Sequence, residues 1–297
     1  MEKVLVFLVL FSFFSCEKND ENINLDPKIR FKVNFDSNLP RLGNLGQIVN
    51  VPPQNGSQNP NVDEVLIHYI ELAKDSLTPL LTGEILYTGH HTSISGDTAI
   101  DFDSSPISKN NEIFLELDLN NIEPGEYNWI RVSLAYQKFE IDYRVNSSVL
   151  ENYDAVGTFS SFVGYNTYIT SHQISDSIVN INQNKTQGFW MFETSFYLPE
   201  YDYTFGSVSQ GDGVNVTVVN PISSTSPIPD GSCVVTGKFN TPLNVLESND
   251  DDINVTLSFS TNNSFEWLDL VPDGKYEPLV GEEVLDMGLR GLHPIIE

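Results

Sequence analysis

The chain has 297 residues, 15 of them Lys or Arg and 41 of them Asp or Glu, for a net charge of −26. A field of that sign repels phosphate backbones and anionic lipid surfaces, so it argues against a nucleic-acid partner and for a solvated acidic surface. Hydrophobic residues make up 40% and aromatics 11%, enough for a packed core, which excludes a disordered body. Only Cys16 and Cys233 are present, which excludes a disulfide scaffold.

The first element is the apolar run Val4 to Phe14, broken only by Ser12 and preceded by Lys3. It has the length of a secretory h-region and is too short to span a bilayer as a helix. It ends at Ser15-Cys16, and the chain then turns polar through Glu17-Lys18-Asn19-Asp20-Glu21-Asn22. A small residue and a lone cysteine at the end of an h-region resemble the lipobox of bacterial lipoproteins. That resemblance implies cleavage before Cys16, lipidation of its thiol and anchorage to a membrane through the N-terminal lipid. The charged patch Glu17 to Glu21 resembles the surface-export signal of Bacteroidetes lipoproteins, which implies the outer membrane and the cell surface. The expected organisation is a signal peptide over 1–15, a flexible tether over 16–27 and a single domain over 28–297.

Ile29, Phe31, Val33 and Phe35 alternate with polar neighbours and predict a half-buried strand. A loop rich in Pro, Gly, Asn and Gln runs to about Asn61, where Pro52-Pro53 and Asn55-Gly56 are expected to stop any element; it is long for a structureless connection, so it either carries function or hides a short strand around Ile48 to Val51. Val65 to Leu72 suits a strand or a short helix, and its β-branched content favours the strand. Further strands are expected at Glu84–Tyr87, Ala99–Phe102, Ile113–Leu119, Tyr127–Tyr136, Phe139–Val145, Ala155–Val163, Thr167–Ile174, Gly188–Tyr197, Val214–Val219, Cys233–Phe239, Ile253–Ser260 and Phe265–Leu268. Gln137-Lys138 is read as a break that makes Phe139–Val145 a hairpin partner of the preceding strand. Cys233, in Ser-Cys-Val-Val-Thr, is read as a small buried hydrophobe. No window sustains a helical period, and no repeat is visible. Many short strands between turn clusters predict an all-β fold, an elaborated antiparallel β-sandwich with little or no helix outside the signal peptide.

Chemistry-bearing residues are sparse. Of the five histidines, His90-His91 stand beside Gly89 with Asp97, Asp101 and Asp103 close behind, the nearest approach to a transition-metal ligand set. Asp101-x-Asp103, Asp250-Asp251-Asp252 and Asp273-Gly274 are candidate calcium loops, because calcium takes several oxygens from flexible segments. Neither a Gly-x-Ser-x-Gly elbow nor a His-Glu-x-x-His, phosphate-loop or dinucleotide motif occurs. The aromatic stretch from Phe189-Trp190-Met191-Phe192 to Tyr201, Tyr203 and Phe205 offers Trp190, Tyr201 and Tyr203 as a stacking platform for a glycan or another flat ligand. In the tail, Arg290 between Gly288 and Gly291 is expected to pair with Asp286 or Glu283 and to lock an apolar segment onto the body.

Asp75-Ser76-Leu77, Asp97-Thr98-Ala99 and Asp176-Ser177-Ile178 resemble the O-glycosylation motif of exported Bacteroidetes proteins. The run from Trp267-Leu268-Asp269 to Gly291-Leu292 resembles a signature of flavobacterial lipoproteins of unknown function. The segment order (a first strand, Pro124-Gly125-x-Tyr127 into a long strand, then Gly188-Phe189-Trp190) resembles the MbnP-like copper-binding β-sandwich proteins, although no Trp-x-His pairing follows Trp129, Trp190 or Trp267. Together these readings favour a cell-envelope lipoprotein acting as a non-catalytic binding or accessory module for a glycan or an envelope protein. The alternatives are a metal-binding protein or metal-dependent enzyme built on His90 and His91, and a glycan-binding module.

Overall fold

The computed structural model describes residues 26–43, 46–213 and 234–297. Cys16, Cys233 and the expected strand Val214–Val219 lie outside the described residues. Strand takes up 58% of the residues and helix 4%, so the fold is all-β and sandwich-like, as the alternating patterns predict. The described strands are β1 (Lys28–Asp36), β2 (Asn55–Gln58), β3 (Asn61–Ala73), β4 (Glu84–Thr88), β5 (His91–Thr92), β6 (Ala99–Asp101), β7 (Ser108–Lys109), β8 (Ile113–Asp118), β9 (Gly125–Val145) and β10 (Tyr153–Phe162). They continue as β11 (Asn166–Gln173), β12 (Ile178–Thr186), β13 (Phe189–Leu198), β14 (Tyr203–Gly211), β15 (Val234–Val245), β16 (Ile253–Ser260), β17 (Phe265–Leu268), β18 (Val284–Asp286) and β19 (Leu292–Ile296). Among the described residues no helix is long and apolar enough to cross a membrane.

β9 is the strand that the other layers are built on. Its 21 residues run unbroken through Gln137-Lys138, correcting the expected hairpin between Tyr136 and Phe139. β3 lies along one edge of β9, while the other edge carries β15 beside its first half and β10 beside its second. The order β14-β13-β10-β9-β3-β4 forms the large sheet. Both faces of that sheet are covered. One face meets the sheet β19-β16-β1-β8 through a core that includes Phe31, Val65, Ile67, Ile130, Phe159, Leu257 and Trp267. The other face meets the sheet β12-β11-β6-β5 through Leu66, Ile100, Phe102, Tyr136, Phe162, Ile169 and Met191.

Two-sided burial explains why β3 reads as a nearly continuous apolar run rather than an alternating one. Most ladders are antiparallel, but β1 runs parallel to β16 and β11 parallel to β6. Two readings of the segment before β3 are also corrected. Asn55-Gly56 lies inside β2, with Gly56 against the indole of Trp267, and Ile48 makes only an isolated bridge to Leu42.

Candidate functional site

Cross-strand register assembles a polar row on the large sheet. Glu64 of β3 stands opposite Lys138 of β9, and Lys138 stands opposite Ser160 of β10, so the three side chains share one face. Tyr136 lies two residues before Lys138 and joins the same face. His172 reaches the row from β11 in the overlying sheet. His172 Nε2 is 2.8 Å from Ser160 Oγ and 3.3 Å from the Tyr136 hydroxyl, which donates to Glu64 Oε1 at 3.1 Å. Lys138 Nζ is 3.1 Å from Glu64 Oε1 and 3.2 Å from Asp63 Oδ2. Five side chains from four strands are thus linked without a gap.

Glu64, Lys138 and His172 of this row line a cleft of about 1000 Å³, together with Asp63, Lys109, Glu112, Val62, Phe102 and Phe139 among others. The lining therefore mixes many groups that hydrogen-bond with apolar side chains. Burial, then the charge of Lys138, pulls the His172 pKa down to about 4, so the ring is neutral at pH 7. Burial and the Glu64 charge push the Tyr136 hydroxyl up, so it stays a donor. Burial alone would lower the Lys138 ammonium, but hydrogen bonds and charge from Glu64 and Asp63 outweigh it and leave the pKa raised. Ser160 is fully enclosed. A hydroxyl shut away from the cleft cannot attack a bound substrate, so its contact with His172 orients the imidazole instead.

The residues singled out from sequence are placed elsewhere. His90 and His91 precede and open β5, and Asp97, Asp101 and Asp103 do not converge on them. The Asp101 carboxylate is taken up by Ser104, accepting from its N–H and its hydroxyl, while Asp103 accepts the Thr170 N–H at 3.0 Å. Asp97 contributes a main-chain carbonyl to Asn184 at 3.4 Å. Among the described residues no group of three or more His, Cys, Asp or Glu side chains is arranged to hold a metal ion. The other calcium candidates are likewise engaged: Asp252 with Lys28 and Arg30, and Asp273 with Arg144 and the Lys275 N–H.

The expected aromatic platform is also divided. Trp190 pairs with Gly211 at one end of the β13–β14 hairpin, while Tyr203 pairs with Leu198 at the other. Eight residues of strand separate those ends, about 27 Å at the usual rise. Trp190 is half-buried, with its ring 5.9 Å from that of Phe159, whereas Tyr201 and Tyr203 are 59% and 57% exposed. No single planar ligand spans all three.

The row Glu64, Tyr136, Lys138, Ser160 and His172 was not legible as a site, because no short motif contains it. The available signal was weak, because Glu64 and Lys138 are two of several charged residues in β3 and β9. Comparison with protein families, curated proteins and solved structures finds no match to this chain.

Proposed function

We propose that the chain is a lipid-anchored, non-catalytic binding module of the cell envelope, and that it takes a polar, hydroxyl-rich ligand such as a short glycan in the cleft over Glu64, Lys138 and His172. The observation that carries this reading is the buried polar row under the cleft. Burying hydroxyls, an imidazole and a carboxylate costs stability unless every group is paired. A purely structural floor is more cheaply built from aliphatic side chains, so a wired polar floor facing an open volume suits recognition. Neutral His172 and the Lys138–Glu64 pair offer donors and acceptors side by side, the complement of a sugar's hydroxyl groups. The aromatic stacking expected of Trp190, Tyr201 and Tyr203 plays no part in it.

The ligand reading is tested by thermal shift and calorimetry against a panel of neutral mono- and oligosaccharides. Binding by the wild type that is lost in Lys138→Met and in His172→Gln, with near-UV circular dichroism unchanged, supports the cleft. Binding that survives both substitutions would place the ligand elsewhere. Anchorage rests on the Val4 to Cys16 pattern and has its own test. Cys16→Ala is expected to leave the membrane fraction, and protease shaving of intact cells is expected to remove the wild-type protein. Retention of Cys16→Ala at the membrane counts against the anchor, and full protection from protease counts against the outer face.

A further inference from the structure

His68 and His91 are far apart in sequence, yet their Nε2 atoms lie 3.0 Å apart, with the rings edge to face at 83°. Three backbone features bring them together. A register shift between Ile67 and Tyr69 leaves His68 at an irregularity in β3, the kind of bulge that re-aims a side chain. The Gly89 N–H donates to the His68 carbonyl at 2.7 Å, which draws the following segment over the ring. A Cβ at Gly89 would stand 3.3 Å from His68 Cδ2, so glycine permits the close approach. Pairing of His91 with Ile100 of β6 then fixes the second imidazole over the first. His68 is buried and His91 exposed, and the ring of Tyr165 lies 6.1 and 6.4 Å from the two imidazoles.

We propose that His68 and His91 form a two-imidazole site for a borderline divalent cation of the zinc type, with solvent completing the coordination. Nitrogens bound at about 2.0–2.1 Å stand roughly 2.9 Å apart on an ion when they subtend a right angle and roughly 3.4 Å apart at the tetrahedral angle. The observed 3.0 Å falls between those limits, so a small ring rotation brings both lone pairs onto one ion. Metal-free, the contact needs a proton on one Nε2. On binding, that proton moves to Nδ1 of the same ring, and both Nε2 lone pairs are donated to the ion. His91 opens the site to solvent, which suits a reversibly held ion rather than a sealed structural one. The pair is distinct from the His90–His91 set suggested by sequence: His90 contributes a main-chain carbonyl to Asp101 at 2.9 Å, and no side-chain contact to the pair is needed from it.

The test is calorimetric titration of the purified full chain, carrying no histidine tag, with zinc chloride. One-to-one binding is expected, weakened about tenfold or more, or about 1.4 kcal/mol, by His91→Ala and by His68→Gln. His90→Ala is expected to bind like the wild type. Because His68 is buried and its replacement can disturb folding, His91→Ala at an exposed position is the deciding variant. Cobalt(II) gives a second readout, through visible bands expected in the wild type and absent in His91→Ala. Absence of saturable zinc binding, full binding by His91→Ala, or equal loss in His90→Ala and His91→Ala would each overturn the assignment.

Discussion

Arg131 and Glu71 sit in adjacent strands of the large sheet with no exposed surface, and Arg131 Nη1 is 3.5 Å from Glu71 Oε2. Each also holds the 74–83 loop: Glu71 Oε1 accepts the Gly83 N–H at 2.6 Å, and Arg131 Nη2 donates to the Thr78 carbonyl at 2.5 Å. Arg131→Met leaves a carboxylate buried without its cation, and Glu71→Gln leaves a guanidinium buried without its anion. Breaking a buried pair from one side costs about 3–5 kcal/mol, or roughly 6–20 °C in a chain of this size. The double variant Glu71→Gln/Arg131→Met behaves differently. It contains no buried charge, the amide oxygen introduced by Glu71→Gln can still accept the Gly83 N–H, and the Thr78 carbonyl is the main group left without a donor. One orphaned carbonyl costs about 1–3 kcal/mol, so the double variant is expected to be more stable than either single one. Urea unfolding of the four proteins, followed by tryptophan fluorescence, reads out the cycle. Losses that simply add in the double variant would refute the reasoning, because the two charges would then not be compensating each other.

Three further outcomes are expected. His172 has a folded pKa of about 4 against about 6.5 when unfolded, so the unfolded chain binds the extra proton between those values. The stability present above pH 6.5 therefore falls by about 3 kcal/mol as the pH drops to 4, and His172→Gln is expected to remove that part of the pH slope in urea titrations. Gly56→Ala places a Cβ 2.3–2.5 Å from atoms of the buried Trp267 indole, so a loss of about 1–3 kcal/mol and an altered near-UV tryptophan signal are expected. Arg290 forms the ion pair with Asp286 that the tail sequence suggested, and also lies 4.0 Å from the Glu266 carboxylate. Arg290→Ala is expected to lower the melting temperature by about 2–4 °C, corresponding to ~1 kcal/mol, in a thermal melt at low and high salt.

Elements with one dominant environment were the legible ones. β1 has a clean period of two, and β16, β17 and β13 stand out by their apolar and β-branched content. The reading failed where tertiary contacts override local polarity. Gln137 and Lys138 look like a break in β9, but the Gln137 amide donates to the Met287 carbonyl and Lys138 is held between Asp63 and Glu64. β12, rich in Asn and Gln, and the exposed β14 lie at sheet edges, where little burial is needed and no hydrophobic signal is left. β19 contains Pro294, which suggests a loop. It is nonetheless an edge strand, the position where a missing N–H is tolerated.

The candidate site was hidden for a deeper reason than weak patterning. Metal and aromatic readings looked for residues close together in sequence, yet a sheet creates its densest polar contacts perpendicular to the chain. Glu64, Lys138 and Ser160 become neighbours only through the β3–β9 and β9–β10 registers, and His172 joins them only because a second sheet covers that face. A one-residue slip in either ladder would turn one of the three to the opposite face and leave a buried charge or hydroxyl without its partner. The polar row therefore constrains the register alongside the aliphatic core. The same logic applies to His68 and His91, whose approach depends on a bulge in β3 and a glycine at 89 rather than on any spacing between the histidines. In this fold the chemistry lies in the pairing of strands, and a linear reading finds it only when the pairing is known.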